Sequence, residues 1–389
     1  MALTRQEMQT IASEYNPDEI HVGFVGSHSA LELGMAAKAH GMPTVVILEK
    51  GRDNVYRRNS HLYDKMIAVD SFKDILAPEF QEQLIEDNVV FVPNRSFSVY
   101  LKDLGAKNEY GPIENDFEVP MYGNRNMLRA EDRNDALGQY AILESAGIRT
   151  PEEFKTPETI DKLAIVKVQQ AGNELERAFF YVTSPEEYDI ESQKLLEKGI
   201  INESGLENAR IEEYILGARF NANFHYYGIE DIFGDFDFVG LSDRRQVNLQ
   251  GFLNLTAKEQ LKLPEIPVKN EEIGHFGVTV RESKQELFYN AAEQLYNAQL
   301  LSEIYSPGML GCAGIQGAIR YSPEDDKTLE FIVFDLSPRI PGDPAMGPTS
   351  PEMRNLTLKY GRHIDDPLDL TIMEIQRAVE LGRLQEIVT

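Results

Sequence analysis

Residues 165–181 read IVKVQQAGNELERAFFY. Two apolar runs, IVKV and AFFY, flank a short polar segment with one glycine, the pattern of a β-hairpin with Lys167 near its start. What this hairpin holds decides how the rest of the chain is read. A hairpin that closes over nucleotide phosphates has a glycine-rich tip, so that backbone N–H groups can approach the anion. This tip carries Gln169, Gln170, Asn173, Glu174 and Glu176 instead. Carboxylates beside a triphosphate repel it unless a metal intervenes. The hairpin binds something else, or it grips ATP imperfectly, or it is only a hairpin.

Downstream, IEEYILGARFNANFHYY (211–227) reads as an acidic strand, a glycine turn and an alternating strand. Phe220, Ala222 and Phe224 alternate with Asn221, Asn223 and His225, which predicts a half-buried sheet with one polar face. LEFIVFDLSPR (329–339) is a strand with Asp335, Ser337 and Arg339 on one face at period two. Gln316, in CAGIQGAIR, lies on a segment positioned to pair antiparallel with it through a turn at 321–327. A glutamine and an aspartate on adjacent strands can offer oxygens to Mg²⁺. The plainer alternative is that Asp335 ends a strand and pairs with Arg339.

Upstream, HVGFVG (21–26), PTVVILE (43–49), MIAVD (66–70) and NVVFVPN (88–94) are apolar runs separated by helical stretches, SALELGMAAKAHG and a second near 74–87. This β-α-β-α-β order predicts a parallel, Rossmann-like sheet. Ser29 is the expected cap of the first helix and Gly41 its stop. Ligands of such sheets sit at the carboxyl ends of the strands, here GSHS (26–29), EKGR (49–52) and NRSF (94–97). A dinucleotide fingerprint is disfavoured, because the G-x-G-x-x-G spacing is absent and Lys50 and Arg52 follow Glu49. GSHS offers backbone donors with Ser27, His28 and Ser29 to a small anion, or His28 merely caps the helix. EKGRDNVYRR is a solvated basic loop, or a phosphate site if it adjoins GSHS. VPMYGNRNML (119–128) reads as a short strand and turn, with a helix near 131–146 ending at Gly147. The polar stretches 184–209 and 257–275 read as insertions or loops.

The chain of 389 residues is long enough for two or three domains, with 42% hydrophobic and 26% charged residues. Its net charge of −26 gives no global attraction for nucleic acid or an anionic membrane. The single cysteine, Cys312, excludes an internal disulfide and suits a reducing cytoplasm. The first twenty residues show no signal-peptide core, and no apolar run approaches a membrane span of ~18 residues.

The order of these parts resembles the ATP-grasp ligases. Along nearly its full length the chain more closely resembles the PurP-type formaminoimidazole-carboxamide ribonucleotide synthetases of archaeal purine synthesis. The resemblance rests on GSHSA (26–30), EKGR with Tyr56 and Arg58, VP-x-x-SF (92–97), VPMYGNR (119–125), IEEYILG (211–217), DRR with Asn248 and AKEQL beyond, PGMLG (307–311) and FDLSPRI (334–340). It implies a fold of mixed α/β and α+β class, a Rossmann-like N-terminal domain followed by ATP-grasp domains. The divisions expected are a pre-ATP-grasp domain over 1–125, a small subdomain with the lid hairpin over 126–215, and a C-terminal domain with the metal site over 216–389. It implies coupling of ATP and formate to the amino group of an aminoimidazole carboxamide ribonucleotide (AICAR), with release of ADP and phosphate through formyl phosphate. It implies that His28, Ser96 and Asn248 contact the ribonucleotide, and that Gln316 and Asp335 hold Mg²⁺, with Mn²⁺ as a substitute. It implies that Lys167 reaches the ATP phosphates and that Glu212, Glu213 and Tyr214 line the adenine slot. Lys50, Arg52 and Arg339 are the phosphate candidates. No catalytic acid or base is assigned. A cytoplasmic homo-oligomer with small-molecule substrates is expected.

The departures from the family pattern are specific. A lid of the type PGAKGGRGYF is here QQAGNELERAFF, and Asp335 stands where the family has glutamate. Asn94 and Arg95 replace a His-Gly, Ala130 replaces a tryptophan, and Pro341 to Ala345 replace a DGGTN. These changes keep two other functions in view: a non-catalytic paralogue that binds a purine-pathway ribonucleotide, and a ligase using another amine or acid, for which Arg95 beside Ser96 would supply a new cation.

Overall fold

The computed structural model describes residues 3–103, 106–131, 135–169, 177–246, 251, 253–262, 272–340 and 350–389. Four parallel strands, β1 (His21–Val25), β2 (Thr44–Glu49), β3 (Lys65–Val69) and β4 (Val89–Phe91), form one sheet in the order β3-β2-β1-β4. The runs of β1, β2 and β4 are almost continuously apolar because both faces are covered, whereas the edge strand β3 is only partly buried. Val22, Phe24, Val46 and Leu48 face the core built with helix Ala30–His40. Val25, Val45, Ile47, Val89 and Phe91 face the core that includes Leu84 of helix Pro78–Glu86. The helix expected near 74–87 is split into a 3₁₀ turn, Phe72–Leu76, and that helix. Pro78 lacks the N–H needed to continue the turn and starts the new helix instead.

VPMYG does not become a strand. It makes single bridges, Phe91 with Met121 and Tyr122 with Val388. The chain leaves the sheet there because Asn124 and Arg125 turn inward. Asn124 Nδ2 donates to the carbonyls of Tyr305 and Gly308 at 2.6 and 2.8 Å. The buried Arg125 guanidinium donates to the carbonyls of Ile113, Phe117, Val119 and Thr389. The helix expected near 131–146 is shorter, Gln139–Ser145, and ends before Gly147 at a φ of +70°.

A second sheet contains β5 (Glu153–Phe154), β6 (Ala164–Gln169), β7 (Arg177–Val182) and β8 (Arg210–Glu213), ordered β5-β8-β6-β7. β6 and β7 pair antiparallel, with Lys167 opposite Phe179. The segment 184–209 is not a loop. It forms helix Pro185–Glu197, capped by Ser184, and the short helix Glu203–Glu207. Its few apolar residues, Tyr188, Leu195 and Ile201 among them, lie with Val166, Val168, Phe180 and Ile211. The polar average concealed that stripe. In 257–275 the described parts are helix Ala257–Gln260 and the edge strand β11 (Glu272–Val278).

The third sheet has five strands in the order β11-β10-β9-β12-β13, with β9 (Ala218–Tyr226), β10 (Phe236–Gln246), β12 (Gly311–Ser322) and β13 (Asp325–Ser337). Ala222, Phe224, Ile315, Val333 and Leu336 bury one face against helices Glu282–Tyr296 and Gln299–Glu303. Part of the opposite face is covered by helix Pro367–Glu380, whose Leu370, Ile372 and Ile375 share a core with Val22, Phe24 and Leu33 of the parallel-sheet region. Among the described residues, no helix is long and apolar enough to cross a membrane.

Candidate active site at the seam of three sheets

The first group of residues lies at the carboxyl edge of the parallel sheet. Gly26 leaves β1 so close to β2 that a Cβ would stand 2.3 Å from Leu48 Cδ2 and 3.4 Å from Tyr56 Cδ2. A side chain there would push the GSHS turn off the EKGR segment. Ser96 Oγ donates to Ser27 Oγ at 2.7 Å. Asn94 fixes this contact: its Oδ1 accepts Phe97 N–H and its Nδ2 donates to Val25 C=O, both at 3.1 Å. The ends of β1 and β4 are thereby tied, with His28 next in the chain. Ser29 takes the cap position, but with φ +66° and no side-chain cap bond. The expected serine cap is not made, because the left-handed backbone that turns GSHS carries the hydroxyl away from the helix amides. That conformation costs on the order of 1 kcal/mol for a non-glycine residue.

The phosphate candidates diverge. Arg52 lies over the Tyr100 ring, 4.6 Å from its centroid, on the helix Arg95–Leu101 that carries Ser96. Lys50 pairs with Asp70 at 2.6 Å, just past the carboxyl end of the edge strand β3. Arg339 is buried and donates to both carboxylate oxygens of Glu131 and to Ile340 C=O. The Asp335 to Arg339 pair considered from the sequence is therefore not the arrangement found.

Gln316 and Asp335 are register partners on β12 and β13. Gln316 also faces Asn221 on β9, which faces Ser242 on β10. Ser242, Asn221, Gln316 and Asp335 thus form one polar row across four strands, on the face opposite the Phe224 core. Both Gln316 and Asp335 are buried. Their oxygens turn to one cation, Arg244: it donates to Gln316 Oε1, and its Nη2 lies 3.9 Å from Asp335 Oδ2. Among the described residues, no group of three His, Cys, Asp or Glu side chains can hold a metal ion. Two protein oxygens suit an ion that completes its shell with water and phosphate oxygens, so the donor set fits Mg²⁺ bound with a nucleotide.

On the hairpin, Lys167 Nζ donates to Glu212 Oε2, and stands 3.2 Å from the Tyr140 hydroxyl. Arg210 donates to Glu212 Oε1 at 2.7 Å, and its guanidinium lies 3.6 Å from the Tyr140 ring centroid. Burial alone would raise the Glu212 pKa, but Lys167, the Tyr140 hydroxyl and Arg210 hold it below the usual carboxylate range. Glu213 and Tyr214 reach the other way, to Arg320 on β12 and Arg219 on β9. The acidic strand therefore binds the hairpin lysine on one side and stitches the second sheet to the third on the other. Asn248, the hairpin tip at 170–176 and the segment 341–345 lie outside the described residues.

Two groups escaped the sequence reading. Arg244 was visible only as part of DRR. The second is a buried knot: Tyr122 Oη donates to Glu374 Oε2 at 2.6 Å and meets His225 Nε2 at 3.0 Å, while Cys312 Sγ lies 3.4 Å from His225 Nδ1. Only His225 gave a signal, as a polar residue in an alternating strand.

A parallel sheet and a small hairpin sheet, each packed on a large antiparallel sheet, make the ATP-grasp architecture. The crystal structure of an IMP biosynthesis protein PurP from Thermococcus kodakaraensis superposes with a TM-score of 0.63 at 20% identity, covering 95% of this chain and 100% of that one. The ADP complex of the N5-carboxyaminoimidazole ribonucleotide synthetase purK superposes with a TM-score of 0.53 at 12% identity, covering 84% and 72%.

Two family models match, one described as a protein of unknown function (DUF1246) over 22–154 and one as a domain of unknown function (DUF1297) over 187–389. The 5-formaminoimidazole-4-carboxamide-1-(beta)-D-ribofuranosyl 5'-monophosphate synthetase of Methanopyrus kandleri is 33% identical over the whole of both chains. That of Methanocaldococcus jannaschii is 32% identical, again over the whole of both. The chain belongs to this family of synthetases.

Proposed function

We propose that the chain is an ATP-dependent carbon–nitrogen ligase that formylates the 5-amino group of AICAR with formate, releasing ADP and phosphate. A formate oxygen attacks the γ-phosphorus as the bond to ADP breaks, giving formyl phosphate. The amine nitrogen then attacks the formyl carbon, the bond to phosphate oxygen breaks, and the nitrogen loses a proton. Phosphoryl transfer to a carboxylate needs positioned cations and oxygens more than covalent help from the protein.

In this reading Ser96, with Ser27 behind it, His28 and Asn248 seat the ribonucleotide. Arg52, beside the helix of Ser96, is the better placed phosphate partner; Lys50 is turned to Asp70, and Arg339 acts by holding Glu131. Lys167 meets the ATP phosphates, and Glu212 keeps it charged and oriented. Glu213 and Tyr214 border the adenine side. Gln316 and Asp335 would hold Mg²⁺, which when bound draws charge from the phosphate oxygens. The domains divide at 125 and 215, and the protein works in the cytoplasm as a homo-oligomer.

The observation that carries this reading is the Gln316 to Asp335 oxygen pair, already turned to a cation at the seam of the hairpin sheet and the large sheet. ADP release by the purified protein with ATP, Mg²⁺, formate and AICAR, each omitted in turn, tests it. Release is expected only from the complete mixture. Release that ignores formate and AICAR, or none at all, overturns it.

A further inference from the structure

The oxygens proposed for the metal face a guanidinium of the chain itself. Arg244 is two residues beyond Ser242 on β10, so its side chain starts on the same face as the Ser242, Asn221, Gln316, Asp335 row. β9 lies between β10 and β12. Arg244 spans that strand, donates to Gln316 Oε1 and sets its Nη2 3.9 Å from Asp335 Oδ2. Gln316 contributes a neutral amide oxygen and Asp335 a carboxylate, and the Arg244 guanidinium faces both. The backbone N–H of Arg244 donates to Asp243 Oδ1 at 2.8 Å, which fixes the base of the side chain.

We infer that Arg244 is a resident counter-cation that keeps the Gln316 and Asp335 pair closed to free metal and yields it only when metal arrives with a triphosphate. The inference rests on the proposed metal role of that pair. A divalent ion entering alone must take both oxygens from the guanidinium and then sit beside it, two like charges a few ångströms apart with no new anion. An ion carried by ATP brings up to four negative charges. These offset both cations and give the displaced guanidinium oxygens to bind. Arg244 therefore makes metal binding conditional on nucleotide, and bare metal cannot fill the site in advance. Two of its contacts, an amide oxygen and a buried carboxylate, are of the oxygen type that Mg²⁺ prefers. The guanidinium thus stands in for the ion in charge and in partners.

The test uses the full-length protein and Mn²⁺ followed by electron paramagnetic resonance, with no substrate turnover. Without nucleotide, Arg244→Gln is expected to bind Mn²⁺ at least tenfold more tightly than the parent chain. Arg244→Lys keeps the charge and is expected to stay within threefold of the parent. Adding Asp335→Asn to Arg244→Gln should abolish the gain. Circular dichroism of each variant excludes unfolding, and the Lys variant gives a second, milder comparison. Unchanged or weaker Mn²⁺ binding by a folded Arg244→Gln chain overturns the inference. A parallel titration with a non-hydrolysable ATP analogue separates the two levels. If Asp335→Asn weakens Mn²⁺ binding with the analogue but Arg244→Gln brings no gain without it, only the counter-cation role fails. If Asp335→Asn has no effect in either condition, the metal assignment fails and the inference with it.

Discussion

Lys167 on β6 and Glu212 on β8 form a buried ion pair, Nζ to Oε2 at 2.5 Å, with side chains 11% and 1% exposed. The lysine is therefore a held charge, poised at the hairpin root. Lys167→Met leaves Glu212 with Arg210 and Tyr140, so its stability cost is limited to about 1–3 kcal/mol. Glu212→Gln leaves two cations without their shared anion and costs more, about 3–5 kcal/mol. Urea unfolding should rank the variants in that order. ATP affinity should fall about tenfold in Lys167→Met, the scale of one lost charge-assisted contact.

Ser96 is expected to serve the ribonucleotide and not ATP. Ser96→Ala removes the donor to Ser27 Oγ while leaving the Asn94 cap of its helix intact. Steady-state kinetics should show the KM for AICAR rising severalfold with the KM for ATP unchanged, and stability altered by no more than about 1 kcal/mol. An equal rise in both KM values would remove Ser96 from the ribonucleotide seat.

The buried knot predicts an alkaline weakness. Burial would lower the His225 pKa, but the Cys312 sulfur and the Glu374 carboxylate outweigh it and raise the group from 6.5 to about 9. A raised folded-state pKa means that the folded chain holds the proton more tightly. The stability it adds is complete below pH 6.5 and is lost as pH rises through 9. Fully realised, that shift corresponds to about 3 kcal/mol. Thermal unfolding of the parent chain should weaken between pH 6.5 and 9.5 by more than that of His225→Gln, measured side by side so that other groups cancel.

The two carboxylates of the hairpin tip, Glu174 and Glu176, are expected to weaken ATP binding. A carboxylate ~6 Å from a phosphate charge, at an effective dielectric near 20, is repelled by ~3 kcal/mol before screening. A third of that is most of a tenfold loss in affinity. Replacing Glu174 and Glu176 with glycine should tighten ATP binding in a calorimetric titration. No change would mean that these two side chains stay away from the phosphates.

The parallel sheet was legible because β1, β2 and β4 are buried on both faces and therefore read as plain apolar runs. The pairing of Gln316 with Asp335 was legible because strand period and turn length fix the register between neighbours. Arg244 was not, since it reaches its partners across an intervening strand, and linear spacing carries no record of such a crossing. The helix Pro185–Glu197 was hidden by its acidic surface. VPMYGNR looked like a strand and turn, yet Asn124 and Arg125 serve six carbonyls, three of them far away in sequence. Long-range polar contacts of this kind have no periodic signature.

Glu374 accepts the N–H groups of Gly228 and Ile229 as well as the Tyr122 hydroxyl. Its helix thus rivets the parallel sheet to the large antiparallel sheet, and the apolar core runs through both. The hairpin sheet has a core of its own and meets the large sheet through polar pairs such as Arg320 with Glu213, around a small apolar patch of Ile215, Ala318 and Ile332. Damage is therefore partitioned. Changes in the hairpin-sheet core are expected to leave the riveted pair folded, whereas changes in the riveted pair threaten the folding of everything built on it. A loosened hairpin core therefore need not unfold the body that carries Ser96, Gln316 and Asp335.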